Sequence, residues 1–182
     1  MALTIVKYPA SVLMRPARRI KPGDADLHQL FAEMVETMDA SRGIGLAAPQ
    51  VNKGIRFIVA HDVAGQRTLG MANPQIIEFS PATEIGNEGC LSFPDMYGDV
   101  ERSVSIVVRW QDMDFQHCEE RFSGHFARVL QHEIDHLNGI LLIDRAIDGL
   151  HSWTEEDEQR AAEEAKVEAE EPVGAGGEPA EE

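Results

Sequence analysis

The sequence predicts an α+β fold. Three observations lead there: a succession of short strand-like segments, two amphipathic helices far apart in the chain, and no regular alternation of strand and helix such as a doubly wound sheet needs. The 182 residues, 43% apolar and 26% charged, suffice for one domain of ordinary size and a remainder. No internal repeat of fixed period is present.

Residues 24–40 read as the first helix. Leu27, Leu30, Phe31, Met34, Val35 and Met38 recur at helical spacing and form one apolar stripe. Asp24 and Asp26 suit its first turn, where carboxylates meet the positive end of the helix dipole. The stripe predicts a helix that covers a core and carries no chemistry. Residues 43–50, Gly-Ile-Gly-Leu-Ala-Ala-Pro-Gln, break the helix with small side chains. Residues 55–60 are rich in β-branched types and read as a strand between Gly54 and His61-Asp62. Shorter strands are expected at 68–73 and 75–79, punctuated by Pro74 and Pro81. Residues 104–110 and 118–122 flank Asp112-Met113-Asp114 as a hairpin. Residues 125–138 form the second helix, closed by Asn138-Gly139, and residues 140–143 end the folded body.

The domain organisation expected is a body over residues 1–150 and an acidic, flexible tail over 151–182. Residues 152–182 hold twelve Asp/Glu against Arg160 and Lys166, a balance of −10, which leaves only −6 of the total −16 for residues 1–151. The Glu/Ala-rich run beyond Leu150 reads as a frayed helix, and residues from Pro172 onward read as disordered. A mildly acidic body has no basic face for phosphate neutralisation, so no direct nucleic-acid site is expected. No stretch approaches the ~20 apolar residues that span a bilayer, and the N-terminal apolar run lacks a basic flank, which together predict a cytoplasmic protein with no membrane contact. In such a compartment Cys90 and Cys118 are expected as thiols. Cys118 reads as a small buried hydrophobe, whereas Cys90, flanked by Gly89, is also a plausible ligand.

The strongest chemical signal is His132-Glu133-Ile134-Asp135-His136 inside the second helix. Residues four apart lie one turn apart on one face, so two imidazoles can share a cation, with Glu133 one step round and able to reach a water on it. On the wheel, Phe126, Val129, Leu130, Ile134 and Leu137 make an apolar arc, with Glu133 at its edge and both histidines just beyond. Two histidines leave a divalent site short of a protein donor. A zinc peptidase would draw its third from downstream, where Asp144, Asp148 and His151 stand; upstream stands Cys90.

Taken together, residues 43–50, Glu88-Gly89-Cys90-Leu91-Ser92 and Gln131-His132-Glu133-Ile134-Asp135-His136 resemble, in order and spacing, the three motifs of the peptide deformylase family. The resemblance extends to Lys7-Tyr8-Pro9 and to Leu141-Leu142-Ile143-Asp144-Arg145, so it covers about residues 1–147. It implies antiparallel sheets packed around a central metal-binding helix, with an N-terminal helix besides. It implies hydrolysis of the formyl group from N-formylmethionyl nascent peptides, with release of formate. Cys90, His132 and His136 would hold one divalent metal ion. The family's habit points to Fe(II), while zinc, nickel or cobalt also suit a mixed thiolate and imidazole set. Glu133 would act as general acid and base, and the Gln50 amide with the Leu91 N–H would stabilise the oxyanion. Gly45 and Gly89 would let backbone approach the formyl site. Ile44, Gly89 and Val129 would bind substrate, with Ile85 a further candidate for the methionine pocket. Arg102 and Asp135 would pair to steady the helix. The resemblance also implies a monomer in transient contact with the ribosome.

Two departures stand out. His125 occupies a position where the family commonly has a bulky apolar residue; it lies seven residues and about 10 Å along the helix from His132, too far for the same ion, and is expected near the substrate channel. The tail is acidic, so polyanionic ribosomal RNA would repel it and the tail is not expected to carry any ribosome contact. Two other readings stand beside the favoured one: a general zinc peptidase, and an inactive or structural metal-binding scaffold.

Overall fold

Strand alternation around one buried helix sets the architecture. The computed structural model describes residues 1–154 and 157–159. In chain order these are α1 (Leu27–Ala40), β1 (Gly45–Ala47), a 3-10 turn (Ala48–Val51), β2 (Phe57–Asp62), β3 (Arg67–Phe79), β4 (Thr83–Cys90), β5 (Phe93–Ser103), β6 (Ser105–Gln111), β7 (His117–Ser123), α2 (Gly124–Leu137), α3 (Leu142–Arg145) and β8 (His151–Ser152). β1-β2-β3-β6-β7 form one sheet, antiparallel throughout, and β4-β5-β8 form a second, in which β4 and β5 run antiparallel. The α+β class and the central helix expected from the sequence are therefore present.

Period-two alternation divides β2 between two cores. Ile58 and Ala60 join Met71, Ile106, Val108 and Phe122 against Phe126, Leu130, Ile134 and Leu137 of α2. Phe57 and Val59 face the other way, with Leu46 and Ala72, onto Leu27, Leu30, Met34 and Met38 of α1. Burying each of these large side chains is worth about 1.5–3 kcal/mol. A third cluster joins Leu13 to Phe93, Val100, Leu141 and Leu142. Cys118 is half-buried against the first core.

Several boundaries differ from the sequence expectation. α1 starts at Leu27 because Asp26 is its cap, its carboxylate accepting from the Gln29 N–H at 3.0 Å. β2 begins two residues late, since Ile55 is taken by a parallel bridge to Arg18. The two short strands at 68–73 and 75–79 are one strand. β3 passes through Pro74 by register shifts, and the buried Asn73 (φ 52) ties the bend to Ile20 through bonds of 2.8 and 2.9 Å. The 112–114 hairpin turn forms, with Asp112 accepting from the N–H groups of Asp114 and Gln116 at 2.9 Å each. At the end of α2, Gly139 has φ 72, and a Cβ there would lie 2.9 Å from Arg15 backbone. The chain continues past residue 143 into α3 and on to His151, where the first compact unit, Met1–His151, ends.

Ser152–Glu182 form a separate unit, of which only 152–154 and 157–159 are described; Asp157 accepts from the Thr154 N–H at 2.9 Å. The frayed helix and disordered end expected of the tail otherwise lie outside the described residues. Among the described residues no helix is long and apolar enough to cross a membrane.

Candidate metal and catalytic site

α2 presents His132 and His136 one turn apart, with ring centroids 5.0 Å from each other. Cys90 closes β4 where its pairing with β5 slips between Gly89 and Cys90, and its Sγ lies 3.3 Å from His136 Nε2. The donor atoms of Cys90, His132 and His136 all fall within 4.8 Å of one another, and among the described residues no other cluster of His, Cys, Asp and Glu is so arranged. Asp144, Asp148 and His151 are not part of it; Asp144 instead caps α3 by accepting from the Leu141 N–H at 2.8 Å. The third metal-capable side chain beside the two histidines is thus the upstream cysteine and not one of the downstream residues a zinc peptidase would use.

The donor set fits a divalent ion on its own chemistry. Glu88 Oε2 takes the His132 Nδ1 at 2.9 Å, which leaves Nε2 free to offer an ion. Burial drives the His136 pKa well below its ordinary value, as does the neighbouring His132, so His136 is neutral with a lone pair to offer. Burial also works against charge on His132, but the adjoining Cys90 and Glu88 outweigh it and raise its pKa.

Glu88 is the hub of a buried ion-pair chain. Arg102 grips it bidentately at 3.0 Å per contact, Arg128 adds a third at 3.0 Å, and Arg102 also reaches Asp135 at 2.5 Å. Arg145 closes the far end on Asp135 at 3.0 and 2.8 Å. The expected Arg102–Asp135 pair is therefore one link of a chain from Arg145 to His132. Burial pushes the Glu88 carboxyl up, yet His132 and Arg102 together hold it well below the usual carboxylate range. The Arg128 guanidinium fills the space beside Gly86, where a Cβ would lie 2.8 Å from its Cζ.

Glu133 lies on the same side as His132, buried, with Oε2 lacking any protein partner. Burial raises its pKa to about 7. Its carboxylate rests on Gly45, where a Cβ would collide with the Glu133 side chain, 2.9 Å from Cγ and Cδ. At Gly89 the corresponding space holds the Tyr97 ring, 2.8 Å away. At both glycines a protein side chain packs where a Cβ would stand. Gln50 accepts from the Ala47 N–H at 2.8 Å, which turns its Nε2 toward Cys90 Sγ (3.5 Å) and Ser92 Oγ (3.3 Å). Lys7 Nζ donates to the Leu91 carbonyl and fixes that peptide plane.

These groups open onto a cleft of about 590 Å³. Ile44, Gly45, Gln50, Gly89, Cys90, Leu91, Val129, His132 and Glu133 all line it, whereas His136 is fully buried. Ile44 is 38% exposed where it lines the cleft and Gly89 is exposed as well, whereas Val129 is buried. His125 also lines the cleft, as expected; Ile85 does not, being 57% exposed. The sequence reading gave no role to Glu88, Arg128, Lys7 or Tyr97. The signal for the first two was an acid two residues before Cys90 and a base one turn before His132.

The model of the polypeptide deformylase family matches residues 2–151. Peptide deformylase of Thermotoga petrophila is 46% identical over 134 residues, which cover 74% of this chain and 80% of that protein. The crystal structure of the Thermotoga maritima peptide deformylase superposes with a TM-score of 0.76 at 42% identity, covering 80% of this chain and 98% of that one. The Met-Ala-Ser-bound peptide deformylase of Acinetobacter baumannii gives a TM-score of 0.73 at 34% identity, over 80% of this chain and 98% of that one. Cysteine and two histidines at the head of a cleft, on this fold and with these relatives, mean that the chain belongs to the peptide deformylase family.

Proposed function

We propose that this chain hydrolyses the formyl group from N-formyl-L-methionyl nascent peptides, releasing formate, with Cys90, His132 and His136 holding one divalent ion, Fe(II) by preference. The observation that carries the reading is Glu133: a buried carboxylate with an unpartnered oxygen, beside three metal-capable donors and open to the cleft. A divalent ion bound there supplies Lewis acidity and lowers the pKa of water, so that hydroxide is available near neutral pH. Zinc, nickel or cobalt would satisfy the same donors.

Everything else is the work of the chain itself. Glu133 takes the proton of the attacking water and returns one to the leaving amine; a carboxyl with a pKa of about 7 is matched to both tasks. Gln50, whose carbonyl is held by the Ala47 N–H, has its NH₂ turned to the site as an oxyanion donor, and the Leu91 N–H is the second. Gly45 keeps the Glu133 carboxylate against the cleft wall. Ile44 and Gly89 receive the peptide as an added strand, and Val129 contacts the methionine side chain. On this reading the enzyme meets nascent chains at the ribosome, in the cytoplasm and as a monomer, without help from residues 151–182.

The test is anaerobic preparation, metal analysis and formate release from formyl-Met-Ala-Ser, beside Glu133→Ala. One metal per chain in both proteins is expected, with formate release lowered by about 10²–10⁴ in the variant. Metal bound without formate release from the unaltered chain would overturn the substrate assignment, and undiminished release by the variant would overturn the role of Glu133.

A further inference from the structure

A second cavity, of about 800 Å³, lies on another face of α2 and shares no lining residue with the first. It is bounded by four arginines, Arg19, Arg56, Arg102 and Arg145. Arg102 and Arg145 are matched by Glu88 and Asp135. Arg19 and Arg56 are different: among the described residues neither has a carboxylate at ion-pair distance.

Arg56 is half-buried, and its bonds go only to neutral oxygens. Nη1 donates to Leu137 O at 3.1 Å and to Asn138 Oδ1 at 2.8 Å, and Nη2 donates to Pro74 O at 3.0 Å. These three bonds fix the guanidinium plane at the end of α2 and leave Nε and one Nη2 hydrogen for a ligand. Burial, and then the charge of Arg19, lower the Arg56 pKa, so the two guanidiniums repel across the cavity. An anion between them would relieve that repulsion. Among the described residues that line the cavity, one carboxylate is not bound by arginine, that of Glu101, which takes the Thr83 hydroxyl at 2.6 Å. Two uncompensated cations therefore stand against one acid. The body as a whole carries −6, so attraction must come from this local pair and not from a general basic field.

We propose that this cavity binds a phosphate group between Arg19 and Arg56. Two guanidiniums, one held rigid, match phosphate oxygens in fork geometry, and the Asn138 amide, whose oxygen is engaged by Arg56, keeps its NH₂ as a neutral donor. The phosphate is either a free ion or one carried as a monoester.

The test titrates inorganic phosphate, and separately glycerol phosphate, into the full zinc-loaded chain and into its Arg19→Gln variant, following amide chemical shifts. Arg19 is exposed, so its loss leaves the fold intact. Saturable binding that shifts the Gln75 and Asn138 amides and weakens about tenfold or more in the variant is expected. Tighter glycerol phosphate would assign a carried phosphate, and tighter inorganic phosphate a free ion. Unchanged affinity in Arg19→Gln, shifts confined to the neighbourhood of Glu133, or no saturable binding would each overturn the proposal.

Discussion

Gly45 and Glu133 occupy one small volume, and neither can be understood without the other. The glycine lies in a strand with no unusual backbone angle, so its φ is not the reason for it; the reason is the carboxylate packed where a Cβ would stand. Gly45→Ala must displace Glu133 while leaving Cys90, His132 and His136 untouched. The expected outcome is full metal content with kcat lowered by about 10-fold to 10²-fold, since displacements near 1 Å cost that much in a positioned base. Steady-state kinetics with metal analysis check it, and an unchanged kcat would mean that the carboxylate has a second working position. At this scale the sequence was informative wherever spacing alone decides geometry. His132 and His136 are legible because four residues make one helical turn. Glu88 was not legible as the partner of His132, because that depends on the face of β4 it occupies and on the pairing of β4 with β5.

Between elements, the tie from α2 to the second sheet is ionic as much as apolar. Arg102, 6% exposed at its side chain, bridges Glu88 on β4 to Asp135 on α2. Removing one partner from a buried pair leaves the others desolvated and uncompensated, at a cost of about 3–5 kcal/mol. Arg102→Met is therefore expected to destabilise the fold by that amount in denaturant unfolding. It should also weaken metal binding about 10-fold to 10²-fold, because Glu88 no longer orients His132 firmly. A variant with normal metal affinity would show that Arg128 alone holds Glu88 in place. The same chemistry explains why β4 and β5 escaped the sequence reading. Thr83–Cys90 carries two glycines, an asparagine and two glutamates, and Phe93–Ser103 carries a proline, a glycine and two aspartates. Neither shows a regular apolar alternation, for these strands are held by each other and by arginines as well as by the few apolar residues, such as Phe93 and Val100, that reach the third cluster. α1 and the β6–β7 hairpin, by contrast, advertise themselves through stripe and turn.

Charge is unevenly distributed over the whole molecule. Residues 155–182 carry all −10 of the tail's balance, so a chain ending at Thr154 changes from −16 to −6. Among the described residues, none that lines the cleft or belongs to the metal-capable group lies beyond His136 in sequence. Formate release by the shortened chain is expected to stay within about twofold of the full chain. Toward a ribosome the two forms should differ in the opposite sense to an attractive tail. Ten negative charges oppose approach to a polyanion, by an amount that salt screens over about 8–10 Å. Cosedimentation with ribosomes at low salt should thus be equal or stronger for the shortened chain, with the difference fading as salt is raised. Weaker cosedimentation of the shortened chain would show instead that the acidic segment finds a basic protein surface there, and that its charge serves docking after all.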